Sequence, residues 1–174
     1  MIINKEKLSS ILNRAGEYIK KIDEEYYMYH YTAINTGMRQ NEIFTLNKRI
    51  VEVDEKEIKI ITEKTGKIRK IEIEKVHKII LERYKRNVSP FQKITYNTLN
   101  YALKKGGIKN ITVNGTKPET THLYRHNYCK QLHEKNKNIK EVAEILNISE
   151  QTAKNYIMSI IEQKEFVTIS KLNK

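Results

Sequence analysis

Between Ile50 and Ile73 the chain stops reading as helix and then resumes it, and this interruption constrains the fold more than any other feature. Three short β segments fit at about 50–53, 57–62 and 68–73, divided by Asp54-Glu55 and by Glu63-Lys64-Thr65-Gly66-Lys67. Strands this short must pair through tight turns to be stable. Gly66 can supply the positive φ that a hairpin demands, which places Lys64 and Lys67 on a β-turn. On both sides the pattern is helical. Leu8, Ile11, Leu12, Ala15, Ile19 and Ile22 recur at helical spacing over 5–22, and a second helix is expected over 24–36, ending near Gly37.

After the sheet, Val76, Ile79, Ile80 and Tyr84 mark a further helix. Ser89-Pro90 reads as the cap and first turn of another that runs to Gly106-Gly107. Residues 108–120, with Asn114-Gly115 and Lys117-Pro118, read as a loop, and three helices are expected at about 121–136, 139–146 and 149–164. The expected fold is mainly α (α+β), with a three-stranded antiparallel sheet inserted near the N-terminal third. We expect one domain over 1–174, with a helix at 1–22, a tail at 157–174 and no separate N-terminal domain.

A chain of 174 residues with 39% hydrophobic content can bury a sizeable core. It has no apolar run long enough to span a bilayer and no signal-peptide pattern, so a cytoplasmic location without membrane association is expected. The single cysteine, Cys129, excludes an internal disulfide framework and a cysteine-based zinc site, and a buried thiol is its expected role. Lys and Arg number 33 against 21 acidic residues, a net charge of +12. Such an excess favours a polyanionic partner through phosphate neutralisation and counterion release, although a solubilising surface would look the same.

Five dispersed residues carry the chemistry: Arg39, Lys64, His122, Arg125 and Tyr156. Transferring a phosphoryl group to a side chain needs a nucleophile, a base for it, an acid for the leaving oxygen, and cations around phosphorus. Arg suits the last role without a metal, because its planar fork grips two phosphate oxygens and keeps its proton. Preorganised charges of this kind contribute ~3–4 kcal/mol each. Every member also has a plainer reading. Arg39 could cap a helix C-terminus, Lys64 could be a solvated turn lysine with Lys67 as its rival, and Tyr156 lies on the edge of an apolar stripe with Ile157 and Ile161. Glu42 is expected to fix Arg39 or a helix terminus, and His126 to orient its neighbours. His30, His77 and His133 are expected to be structural or surface residues.

Thr36-Gly37-Met38-Arg39-Gln40-Asn41-Glu42-Ile43 resembles the first arginine box of the tyrosine recombinases (phage integrase family). Lys64-Thr65-Gly66-Lys67-Ile68-Arg69 resembles their β-turn lysine segment, and His122-Leu123-Tyr124-Arg125-His126 their His-x-x-Arg-His box. Tyr156 follows at about the family's spacing for the nucleophile, so the likeness covers roughly 24–160. The resemblance implies a site-specific recombinase or integrase of a mobile element, cutting and rejoining DNA without metal, ATP or another cofactor. It implies that Arg39 and Arg125 hold the phosphate, His122 assists as base or phosphate ligand, Lys64 protonates the leaving oxygen, and Tyr156 forms a 3′-phosphotyrosyl bond. Lys67, Arg69, His126 and Lys154 would contact double-stranded DNA, on which a homo-tetramer would assemble.

Two departures stand out. Where the family has a His or Trp before the tyrosine, this chain has Ile148, which donates no hydrogen bond; Asn147 or Ser149 could replace it only by reaching inward. Losing one such donor slows the chemistry by ~10²–10³-fold. A catalytically impaired DNA-binding or regulatory protein is therefore an alternative. So is a helix-turn-helix regulator, in which residues 139–161 pair two helices and Lys154, Asn155 and Tyr156 face DNA. The other departure is that only about 20 residues precede the catalytic-like region, where relatives carry a helical domain. The tail with Phe166, Val167, Ile169 and Leu172 would dock on a neighbouring subunit or fray.

Overall fold

A computed structural model describes residues 8–163; the expected tail contacts of Phe166, Val167, Ile169 and Leu172 lie outside the described residues. Helix α1 (Leu8–Lys20) and helix α2 (Glu24–Thr36) form an antiparallel pair. The Asp23 side chain caps α2 by accepting the Glu25 N–H at 2.9 Å. Two short helices, α3 (Gln40–Phe44) and α4 (Leu46–Arg49), lead into the sheet β1 (Ile50–Val53), β2 (Glu57–Ile61) and β3 (Ile68–Glu72). The strands pair in the order β1-β2-β3, all antiparallel, and Gly66 turns the second hairpin with φ +66°. The fold is the expected mainly helical one with a three-stranded antiparallel insert.

Beyond a 3₁₀ turn at Ile73–Lys75 come α5 (Lys78–Lys85), α6 (Tyr96–Lys105), α7 (His122–Glu134), α8 (Ile139–Leu146) and α9 (Glu150–Ile157). The helix expected from Ser89-Pro90 does not start there; α6 begins at Tyr96 under a Thr95 cap. The reason is Glu25, only 2% exposed, whose carboxylate accepts the N–H groups of Gln92, Lys93 and Ile94 at 2.7–3.2 Å and pairs with Arg83 at 2.5 Å. That wrap holds residues 91–94 in an irregular turn and buries Phe91 and Ile94. A helix starting at Ser89-Pro90 would commit the Lys93 and Ile94 N–H groups to carbonyls four residues back and withdraw them from the buried charge.

Residues 108–120 are not all loop. Strand β4 (Ile111–Val113) pairs antiparallel with β5 (Ile161–Gln163), which takes over from α9 where a helix to 164 was expected. Lys130 contributes to that early stop: its ammonium donates to the Ile157 and Ser159 carbonyls, each at 2.7 Å.

The core divides in two. The larger cluster gathers α1, α2, α5, α6 and the inner face of the sheet. The smaller joins the far end of α7 to α8 and α9 through Tyr128, Cys129, Val142, Leu146, Ala153 and Ile157. Helix α7 bridges them, and Arg125 stands on it between the two. Burial pushes the Cys129 thiol up to about 11, so this cysteine is the inert buried thiol expected. Among the described residues no helix is long and apolar enough to cross a membrane.

Candidate phosphate-binding site

The site begins where α2 stops. Gly37 takes φ +61°, and a Cβ there would come within 2.6 Å of the Tyr128 ring, so only glycine allows this turn against α7. The carbonyl of Gly37 accepts from Nη1 of Arg125 at 2.8 Å. Two residues on, Arg39 opens α3, and its backbone N–H donates to Glu42 at 2.8 Å. Glu42 is 1% exposed, pairs with the Arg39 guanidinium at 3.4 Å and accepts the Glu63 N–H at 3.1 Å. Burial alone would raise its carboxyl. The two N–H groups and the charges of Arg125 and Arg39 outweigh that and hold it below its ordinary value. Glu42 thus fixes Arg39, as expected, and anchors the root of the Lys64 turn.

Arg125 is 1% exposed, yet its Nε and Nη2 have no hydrogen-bond partner among the described residues. Gln40, whose Oε1 accepts from the Thr121 hydroxyl at 3.1 Å, also leaves its buried Nε2 unpartnered. Both residues line a cleft of about 760 Å³ together with Arg39, His122, Lys104 and Lys117. The N-terminus of α7 opens on the same cleft and adds the positive end of its dipole. A buried guanidinium with two unanswered nitrogens needs an acceptor, and an anion is the one that fits.

Tyr156 reaches this cleft from behind. Its hydroxyl lies 2.8 Å from Nε2 of His122, and the Arg125 guanidinium sits 5.8 Å from its ring centroid. Burial depresses the His122 imidazole below its ordinary value, helped by the Arg125 and Arg39 charges, so it stays neutral and can accept a proton. Burial raises the Tyr156 phenol, and the same two arginines only partly offset this. Tyr156 is 8% exposed and is not part of the cleft lining; its hydroxyl meets the cleft at His122, which does line it.

His126 packs edge-on against Tyr156, centroids 4.7 Å apart, and its Nδ1 lies 3.0 Å from the Ser159 hydroxyl. Burial, then His122 and Lys130, pull His126 down to about 4. It orients Tyr156 and is buried, so it offers DNA no contact from this position. The plainer readings of the remaining histidines also hold: His30 is buried against the Tyr124 hydroxyl at 2.8 Å, His77 caps α5, and His133 is exposed.

Other expected residues are placed apart from this cluster. Lys64 and Lys67 are exposed on the β-turn, outside the cleft, although neighbouring Glu63 lines it. Arg69, expected to face DNA, is 4% exposed and donates to the carbonyl of Thr36. The period-two alternation of β3 puts Arg69 on the inner face with Ile71. Lys154 and Asn155 are exposed on α9, but Tyr156 points the other way, into the protein. The expectation that all three face DNA together is corrected on this geometry.

Neither replacement for the missing donor reaches the cleft. Asn147 ends α8 with φ +51° and donates to the Ile68 carbonyl at 2.8 Å, while Ser149 caps α9 by accepting the Thr152 N–H at 3.1 Å. Ile148 packs against the smaller core cluster. Sequence reasoning missed Lys130 and Ser159, which fasten the end of the tyrosine helix, and Lys104, Lys117 and Gln40 in the cleft. The spacing of His122, His126 and Lys130 at successive fours was a legible sign of one shared helix face.

Fold and site together define a tyrosine-recombinase catalytic fold. The model of the phage integrase family matches residues 2–160, and the chain belongs to that family. Among solved structures, it is similar to XerA recombinase, with a TM-score of 0.60 and 21% identity over 85% of this chain and 58% of that one. It is also similar to XerH site-specific recombinase bound to its difH substrate before cleavage, with a TM-score of 0.58 and 18% identity over 83% and 47%. The post-cleavage XerH complex with palindromic difH gives 0.59 and 18% over 84% and 47%. The chain therefore spans roughly half the length of these proteins. No curated protein matches the sequence significantly.

Proposed function

We propose that this chain carries the strand-cutting and rejoining centre of a site-specific DNA recombinase acting through Tyr156. The observation that carries the reading is the buried Arg125, two of its nitrogens unanswered among the described residues, beside a Tyr156 hydroxyl 2.8 Å from a neutral His122. In this reading Arg39 and Arg125 grip the non-bridging oxygens of a DNA phosphate. The Tyr156 oxygen attacks phosphorus while its proton passes to Nε2 of His122. The new P–O bond forms as the bond to the 5′-oxygen breaks, and the leaving oxygen takes a proton. Lys64 supplies that proton once its exposed turn closes over the cleft. The reverse attack by a 5′-hydroxyl restores the phosphodiester and the free tyrosine, so no ATP is consumed. The DNA-bound XerH neighbours and the +12 charge support duplex DNA as the partner. Assembly as a tetramer on DNA and service to a mobile element belong to the same reading.

A second reading, a DNA-binding protein with impaired chemistry, is favoured by the commitment of Asn147 and Ser149 to the fold, which leaves the Ile148 position without a donor. A nicked suicide duplex carrying the target site separates the two. The first reading expects a covalent protein–DNA adduct that disappears in Tyr156→Phe and in Arg125→Ala. Normal duplex binding with no adduct across varied sites would select the second.

A further inference from the structure

Arg69 and Arg125 enter from different elements, β3 and α7, and grip successive carbonyls at the same helix end. Arg125 holds the Gly37 carbonyl at 2.8 Å, and Arg69 holds that of Thr36. These carbonyls terminate α2, where the helix dipole leaves negative charge, and Arg39 follows two residues later. Among the described residues neither Arg69 nor Arg125 pairs with a carboxylate, and Arg69 keeps its Nε unpartnered at 4% exposure. The two cations are close enough to feel each other: burial, then Arg125, pulls Arg69 down to about 10. The strand that carries Arg69 is tied on its other side to the tyrosine end of the fold by Asn147 donating to the Ile68 carbonyl at 2.8 Å.

We propose that Arg69 is a positioning residue for the anion pocket, holding the α2 terminus from the inside so that Arg125 and Arg39 converge on one phosphate. The inference rests on the reading of the cleft as a phosphate site. The Arg125 charge acts on Arg69 more strongly than the opposing Glu42 charge, and an anion in the cleft relieves that repulsion. Arg69 itself does not touch the anion: it lies on the inner face of β3 and is not part of the cleft lining. Its Nη2 ties the backbone that carries Arg39, and a misplacement of about 1 Å in such a scaffold slows a reaction roughly 10²-fold.

The test uses the full chain and two variants, Arg69→Met and Arg69→Lys, with inorganic sulfate as the anion and His122 ring resonances as the reporter. Wild type should respond to sulfate. Arg69→Met, which removes charge and fork, should weaken sulfate binding by roughly 10–100-fold, the range typical of lost supporting contacts. Arg69→Lys should lose part of it, because an ammonium keeps the charge without the fork. The slope of log Kobs for duplex DNA against log salt should stay unchanged in both. A slope smaller by about 1 in Arg69→Met would mean direct phosphate contact and overturn the proposal. So would unaltered sulfate affinity in a folded variant, or a wild-type His122 that ignores sulfate. If Arg69→Met does not fold, Arg69→Lys is read by the same criteria. Absence of a covalent adduct in wild type would defeat the catalytic reading above while leaving the sulfate result to decide this one.

Discussion

The hydroxyl of Tyr156 and Nε2 of His122 lie 2.8 Å apart, within reach of direct proton transfer, while the Arg125 guanidinium sits beside the same ring. The phenol is raised by burial and the imidazole lowered by it, so in the resting site the proton stays on Tyr156 and His122 is free to receive it.

This arrangement sets a pH profile. His122 must be neutral to act as base, and its depressed value means it is neutral throughout the physiological range. Single-turnover adduct formation at limiting DNA should therefore be flat near neutrality and fall only in acid, below the ordinary imidazole value of 6.5. An acid limb centred above that value would contradict His122 as the base. His122→Gln should slow adduct formation by ~10²–10⁴-fold with little change in duplex affinity, measured by fluorescence anisotropy.

Gly37 should tolerate no side chain. Gly37→Ala meets both the positive φ and the Tyr128 ring at 2.6 Å, and a loss of about 2–3 kcal/mol is expected in urea unfolding. The displaced Gly37 carbonyl also releases Arg125, so adduct formation should fall further than the lost stability accounts for. Unfolding at the wild-type midpoint would show that the turn is not under this constraint.

Glu25 should govern acid stability from the other end of α2. Burial opposes its charge, but the Lys93 N–H, the Arg83 guanidinium and the N–H groups of Gln92 and Ile94 outweigh it and lower the carboxyl. The unfolded chain then takes up the proton at higher pH than the folded one. Glu25's contribution is accordingly complete above the ordinary value of 4.5 and fades as pH falls through the folded value. Glu25→Gln should lose about 3 kcal/mol at neutral pH and flatten the acid limb of stability against pH. Some slope should survive, because Glu42 is lowered in the same way. An undiminished acid slope in the variant would rule this out.

Ile148 offers a gain-of-function measurement. It packs on the cluster that contains Tyr156, and its neighbours Asn147 and Ser149 are committed elsewhere. Ile148→His should destabilise the domain by about 1–2 kcal/mol, by exchanging a packed apolar group for a polar one. It should also accelerate adduct formation on the suicide duplex by about tenfold or more. Equal or slower cleavage in a folded Ile148→His protein would show that the cleft does not lack a donor there.

The elements that local chemistry governs were legible in the sequence. Helical spacing drew α1, Gly37 marked the end of α2, and Gly66 set the lysine turn, because apolar periodicity and positive φ are properties of a few adjacent residues. The order of the boxes also pointed to Arg39, His122, Arg125 and Tyr156, which the fold does bring together. Arg69 was misread although β3 held the clue: its alternation with Ile71 already turned it inward.

What the sequence could not give was every feature that depends on a distant partner. Ser89-Pro90 has the residues of a helix start, yet a buried carboxylate contributed by Glu25 captured the following N–H groups and moved the helix to Tyr96. Strand β4 exists only because β5 returns to pair with it. The sequence by itself determined which residue types, in which order, could hold and attack a phosphate. Only the tertiary structure decided that Arg125 is left with free donors among the described residues, that the Tyr156 hydroxyl is held against His122, and that Lys64 stands outside the cleft, because burial and hydrogen-bond satisfaction are settled by the whole fold.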